Sequence, residues 1–193
     1  MRWLSLITFG CWWVFMIVWI LKGRDNKRSV HRQSSADRNR YLVPMISGII
    51  VSTGFLRIFG PPVDIMGKLL WAPNPAMFVA SAAISVLGLV IALWARSALG
   101  RNWSYQVTLK DGHELVTDGP YAAIRHPIYT AVILLFVGIM LLIPSISAVI
   151  GIGLIVWSCW IKLRQEETLM IQQFPDAYPA YMARTKRLVP GLV

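Results

Sequence analysis

Five apolar runs dominate the 193-residue chain: Trp3–Leu21, Leu42–Phe59, Ala76–Ala95, Ile128–Ile143 and Ile146–Leu163. A helix rises about 1.5 Å per residue and the hydrocarbon core of a bilayer is about 30 Å thick, so roughly 20 apolar residues span it. Each run meets that length or comes near it. None shows the sustained alternation of a half-buried strand. The expectation is an all-α, polytopic integral membrane protein of about five transmembrane helices, forming one membrane-embedded domain over 1–193. Only Pro144 and Ser145 separate the last two runs, which predicts a tight helical hairpin.

Composition agrees. Apolar residues make up 56% of the chain and charged residues 15%, against about 25% charged in soluble domains. A single core in a chain this small cannot bury so much apolar surface, which argues against a soluble enzyme. Trp3–Leu21 is longer than the apolar region of a signal peptide, and the basic stretch Lys22–Arg40 follows it instead of preceding it. It therefore reads as a retained span.

Nineteen Lys and Arg against nine Asp and Glu give a net charge of +10. In a soluble chain that excess suggests nucleic acid, but here its distribution explains it. Basic residues cluster between runs one and two, between runs three and four, and after run five. With five spans these segments share one face, which the positive-inside bias makes cytoplasmic. The expected orientation is N-terminus out and C-terminus in, with no nucleic-acid partner.

The two long cytoplasmic segments, 96–127 and 162–193, hold about 32 residues each. Neither can form a nucleotide-binding domain alone, so a site there must be walled by both. Polar residues gather in these segments. Lys110 to Tyr129 carries the turn signals Asp111-Gly112 and Asp118-Gly119-Pro120, then Arg125-His126-Pro127. Pro127 suits the first turn of a helix and holds His126 away from helical geometry. An imidazole, a guanidinium and Tyr121 and Tyr129 thus meet at the mouth of run four. The plainer alternative is an interfacial turn with snorkelling Arg and anchoring Tyr. Glu166 and Glu167 continue run five as a helix beyond the membrane. They read either as a solvated face paired with Lys162 or Arg164, or as ligands for ribose hydroxyls or an ammonium group. Tyr178 and Tyr181 lie one helical turn apart and face one way.

Other features are weak. Cys11 and Cys159 form no disulfide framework or zinc spacing. His113-Glu114 has no further ligand at metal-binding spacing, so no metal is expected. No glycine-rich nucleotide motif, P-loop or nucleophile elbow is present. Asn102-Trp103-Ser104 fits a glycosylation sequon that cytoplasmic placement makes inert.

At Asn102-Trp103-Ser104, Asp111-Gly112-His113-Glu114-Leu115-Val116, Gly119-Pro120-Tyr121, Arg125-His126-Pro127-x-Tyr129 and Glu166-Glu167, the sequence resembles the isoprenylcysteine carboxyl methyltransferase family. The likeness runs on through Phe174, Tyr178, Tyr181, Arg184, Arg187 and Pro190. That family is related to the membrane phospholipid N-methyltransferases. The resemblance covers the C-terminal half in detail, so 96–193 is the expected motif-bearing catalytic half, and the short form is similar to prokaryotic members. It implies a methyltransferase using S-adenosyl-L-methionine in a cytoplasm-facing pocket. By position, His113, Leu115, Val116, Gly119, Tyr121, His126, Tyr129 and Glu167 line that pocket. The resemblance implies Glu167 as the residue for the ribose hydroxyls, with Glu166 as the alternate.

The acceptor implied is a carboxylate on a prenylcysteine-like or other lipidic molecule entering from the bilayer. A carboxylate is already ionised at neutral pH and needs only a cation to position it, for which Arg125 and Arg164 are the candidates. A phospholipid amine is the alternative acceptor, with His126 as its base. A lipid-binding scaffold is the non-enzymatic alternative. A transporter fits poorly, because runs one, three, four and five carry almost no charge.

Overall fold

The computed structural model describes residues 2–22, 33–52, 66–72, 74–103, 107 and 114–192. His113, Arg57, most of the basic stretch after run one and the end of run two lie outside the described residues. Six α-helices are described: α1 (Arg2–Lys22), α2 (Ser35–Ser52), α3 (Pro75–Leu99), α4 (Pro127–Leu142), α5 (Ile146–Gln173) and α6 (Ala177–Arg184). Among the described residues there is no strand, only isolated bridges at Leu69–Ser145 and Ile124–Lys186.

Three helices, α1, α3 and α5, are long and apolar enough to cross a membrane, and α4 is a shorter apolar helix. Large apolar side chains such as Trp3, Trp13, Val79, Val90 and Trp157 stand exposed on them, as lipid-facing residues do and as a soluble surface rarely tolerates in such number. The chain is an integral membrane protein.

Local chemistry sets the helix ends. Asn74 caps α3 by accepting from the Met77 amide at 3.1 Å, with Pro75 following in the first turn. Ser145 caps α5 in the same way, through the Ala148 amide at 3.2 Å. α2 starts seven residues before the apolar run that announces it, because Ser34 accepts from the Asp37 amide at 3.1 Å and donates to its carboxylate at 2.8 Å. At 28 residues, α5 is about 42 Å long, so its last turns, about eight residues, project past a hydrocarbon layer of about 30 Å.

The helices pack as two groups. α3 packs extensively on α4 and on α1, while α2 packs on α5. The expected hairpin of α4 and α5 is not the main packing unit: despite a connection of three residues they touch sparsely, and each finds its principal partner elsewhere. Buried hydroxyls pin each group. Thr8 and Ser81 share a hydrogen bond of 2.9 Å, and Ser81 donates to the Gly138 carbonyl at 2.7 Å. Ser158 donates to the Tyr41 carbonyl at 2.7 Å across α5 and α2. The second pair approaches backbone to backbone: a Cβ on Gly48 would stand 2.7 Å from the Gly151 carbonyl oxygen. A cavity of about 470 Å³ lies between the two groups, walled by α1, α2, α4, α5, α6 and the loop before α4.

Candidate active site

The loop before α4 and the C-terminal segment are held together by backbone bonds. The Arg125 amide donates to the Lys186 carbonyl at 2.8 Å and the His126 amide to that of Arg187 at 3.0 Å. Thr130 donates to the Leu188 carbonyl at 2.7 Å, and the Tyr181 hydroxyl donates to the Tyr121 carbonyl at 2.6 Å. Pro127 opens α4 and leaves His126 at φ −127°, ψ 57°, outside helical geometry. The imidazole therefore turns toward α5 instead of joining the α4 face.

There it stands between the two glutamates. His126 Nε2 is 3.3 Å from Glu167 Oε1 and Nδ1 is 3.7 Å from Glu166 Oε2. The two carboxylates have different surroundings. Glu167 is 4% exposed. Its Oε1 accepts from Arg125 Nε at 2.9 Å, and its Oε2 accepts from Arg187 Nε at 3.0 Å and Nη2 at 2.9 Å. Burial alone would raise this carboxyl, but hydrogen bonds from His126, Arg187 and Arg125 outweigh burial and hold it at about 2. Glu166 is more open and forms part of the cavity wall. Tyr129 donates to it at 2.6 Å, and the His126 and Tyr129 rings stack with centroids 5.5 Å apart.

The expected site residues divide accordingly. Leu115, Val116, Tyr121, Arg125, His126, Tyr129 and Glu166 line the cavity. Gly119 instead supplies a turn at φ +60° beneath Trp94, a conformation that glycine adopts without strain. Glu167, expected to take the donor's ribose hydroxyls from a helix beyond the membrane, is instead buried in an ion-pair cluster on which two guanidiniums converge. Arg125, expected to hold an acceptor carboxylate, directs Nε to Glu167 and Nη1 to the Met182 and Thr185 carbonyls. Arg164, expected beside it, is exposed and outside the cavity wall.

Several wall residues were not among the expected site residues. Lys162 lies on the wall with its Nζ 5.3 Å from the Tyr41 ring centroid and 5.6 Å from that of Tyr129. Trp12, Phe15 and Trp19 of α1 and Met45 and Ile49 of α2 line the apolar end. The three to four residue spacing of the α1 aromatics was the available signal. Burial, with the Glu166 charge second, pushes the Tyr121 phenol up; burial pushes Tyr181 up to about 12. Both remain neutral hydrogen-bond donors at physiological pH.

These features define a class: a helical integral membrane protein whose cavity is apolar along the bundle and carries glutamate, imidazole and phenol groups at one end. Residues 81–172 match the model of the isoprenylcysteine carboxyl methyltransferase (ICMT) family, so that stretch of the chain is similar to that family. It is similar to the protein-S-isoprenylcysteine O-methyltransferase of Dictyostelium discoideum, 29% identical over 110 residues, covering 55% of this chain and 46% of that one. Protein-S-isoprenylcysteine O-methyltransferase B of Arabidopsis thaliana is 27% identical over 108 residues, 54% and 55% of the two chains. The nickel-cobalt-cadmium resistance protein NccN of Alcaligenes xylosoxydans xylosoxydans is 30% identical over 115 residues, 58% and 52%. The chain spans about half the length of the curated relatives it matches. The family match takes in most of α3, the loop before α4, α4 and nearly all of α5. α6 and the segment after it, which supplies Arg187, lie beyond the match.

Proposed function

We propose that the protein is an S-adenosyl-L-methionine-dependent membrane methyltransferase that methylates a carboxylate on a prenylcysteine-like or other lipidic acceptor. One observation carries the reading: a single cavity joins an apolar slot between the helix groups to a polar end bearing Glu166, His126 and Tyr129. A donor nucleoside and a lipidic acceptor need those two environments side by side. The volume of about 470 Å³ falls in the range of roughly 300–1,000 Å³ typical of ligand pockets.

The residues present fit this donor. Glu166 offers an acceptor carboxylate to ribose hydroxyls or an ammonium group. The irregular stretch at Leu115 and Val116 offers backbone groups to an adenine edge, and the faces of Tyr121 and Tyr129 suit a sulfonium cation. When bound, the donor supplies a methyl group on a positively charged sulfur. That methyl group would pass to the acceptor's carboxylate oxygen, the sulfur keeping the electron pair of the broken bond, with Glu166, Tyr121 and Tyr129 holding the donor. No proton moves, so the protein's contribution is alignment and exclusion of water. Glu167 works indirectly: its bonds to Arg125, Arg187 and His126 lock the C-terminal segment against α5 and fix the imidazole beside Glu166.

The same reading makes the whole of 1–193 one membrane-embedded methyltransferase domain with 96–193 as its catalytic half. It has five spans, the N-terminus out and the polar end facing the cytoplasm of a prokaryotic inner membrane. His113, adjacent to Glu114 of the wall, remains a donor-binding candidate. Titration calorimetry of the detergent-purified protein tests the donor: saturable binding of S-adenosyl-L-methionine is expected, and no binding would reject the reading.

A further inference from the structure

The cavity has an ordered polarity along α5. Cys159, Lys162, Glu166 and Met170 all lie on its wall, at spacings of three and four residues that put them on one helix face. From Lys162 to Glu166 the helix rises about 6 Å. On the far side of Lys162 from Glu166 the wall turns apolar, with Met45, Ile49, Val132 and Phe136. Lys162 therefore stands where the apolar slot meets the polar end. Its ammonium lies near the rings of Tyr41 on α2 and Tyr129 on α4, 5.3 and 5.6 Å from their centroids. These two rings come from opposite helix groups, so the charge is held at the seam between them.

Among the described residues, Arg125 is the other Lys or Arg on the wall, and its Nε and Nη1 are directed to Glu167 and to backbone carbonyls. Arg187 is bonded to Glu167, and Arg164 is exposed off the wall. We propose that Lys162 is the binding residue that holds the acceptor's carboxylate, with the acceptor's hydrocarbon in the apolar slot and its reacting oxygen turned toward the Glu166 end. This rests on the methyltransferase reading and deepens it to a choice of acceptor. An ammonium at Lys162 attracts an acid and repels an amine, so the site selects lipidic acids over lipid amines. Loss of the charge on esterification also lets the product leave.

The test is equilibrium binding without methyl donor. N-acetyl-S-farnesylcysteine and its methyl ester are titrated into the detergent-purified protein, and binding is read by the fluorescence of the wall residues Trp12 and Trp19. Wild type is expected to bind the acid at least roughly tenfold more tightly than the ester, the range of a charge-assisted hydrogen bond. Lys162→Met is expected to bind both alike, while Lys162→Arg keeps a preference for the acid. S-adenosyl-L-methionine affinity should stay near wild type in both variants; its loss in Lys162→Met would overturn the assignment by moving the residue to the donor or the fold. An acid preference that survives in Lys162→Met overturns the role of Lys162 alone. A wild-type protein that binds neither compound overturns the lipidic-carboxylate reading and the role of Lys162 with it.

Discussion

Arg125 and Glu167, forty-two residues apart, meet through a 2.9 Å hydrogen bond with side chains only 7% and 5% exposed. Arg125 opens the helix-four junction and Glu167 lies on the projecting end of α5, so the bond ties the loop to the bundle. Breaking a buried pair by removing one partner leaves an uncompensated charge and costs about 3–5 kcal/mol. Glu167→Ala and Arg125→Ala are each expected to destabilise the protein by that order in denaturant unfolding in detergent. The double variant should lose much less than the sum, since the two residues share one interaction network. Additive losses would show that the two side chains act independently.

The same cluster sets a pH dependence. Glu167 titrates near 2 in the folded protein against an ordinary value of 4.5. The folded state therefore binds its proton less readily than the unfolded chain. Its contribution is fully present above about pH 4.5 and is lost as pH falls toward 2. Unfolding measured at successive pH values should show stability falling through that window. Glu167→Gln should flatten that part of the curve, and an unchanged slope in the variant would assign the loss to other carboxylates.

Gly151 is predicted to be indispensable to the crossing of α2 and α5. A Cβ there would stand 2.6 Å from that of Ser52 and 2.7 Å from the Gly48 carbonyl oxygen. Gly151→Leu should cost at least 1–3 kcal/mol, the usual overpacking penalty, because the neighbour is backbone and cannot rotate away. Gly153→Leu, on the same helix with nothing within 4 Å, should be tolerated. Equal effects in thermal unfolding would refute the close-packing account.

Much of this architecture was legible as apolar length, and what was not follows from specific chemistry. The runs located α1, α3, α4 and the buried part of α5, because a span is a property of local composition. The start of α2 was missed because a Ser34–Asp37 capping pair extends it through charged residues. The pairing of α4 with α3, in place of the expected α4–α5 hairpin, depends on which faces carry small residues and hydroxyls. At the site, Pro127 announced the displaced His126, since proline restricts its predecessor locally. Nothing local distinguished Glu166 from Glu167. Adjacent helix positions point about 100° apart, and only the tertiary arrival of Arg125 and Arg187 decides which carboxylate is buried.

That distinction yields a prediction about the donor. Glu166 is on the cavity wall and Glu167 is not. Glu166→Gln should weaken S-adenosyl-L-methionine binding by about 1.5–3 kcal/mol, the range for hydrogen bonds to a charged group, with little loss of stability. Arg164→Lys, at an exposed position off the wall, should leave both binding and turnover near wild type. Titration calorimetry with both variants checks this; unchanged affinity in Glu166→Gln would remove that carboxylate from the donor site.

The most direct measurement is the fate of the methyl group. Purified wild-type protein is incubated with methyl-labelled S-adenosyl-L-methionine and, separately, N-acetyl-S-farnesylcysteine or phosphatidylethanolamine, and the products are identified. The account predicts label in a base-labile methyl ester of the farnesylcysteine and none in the phospholipid amine. Label in methylated phosphatidylethanolamine, or no transfer to either acceptor by protein that binds the donor, would contradict it.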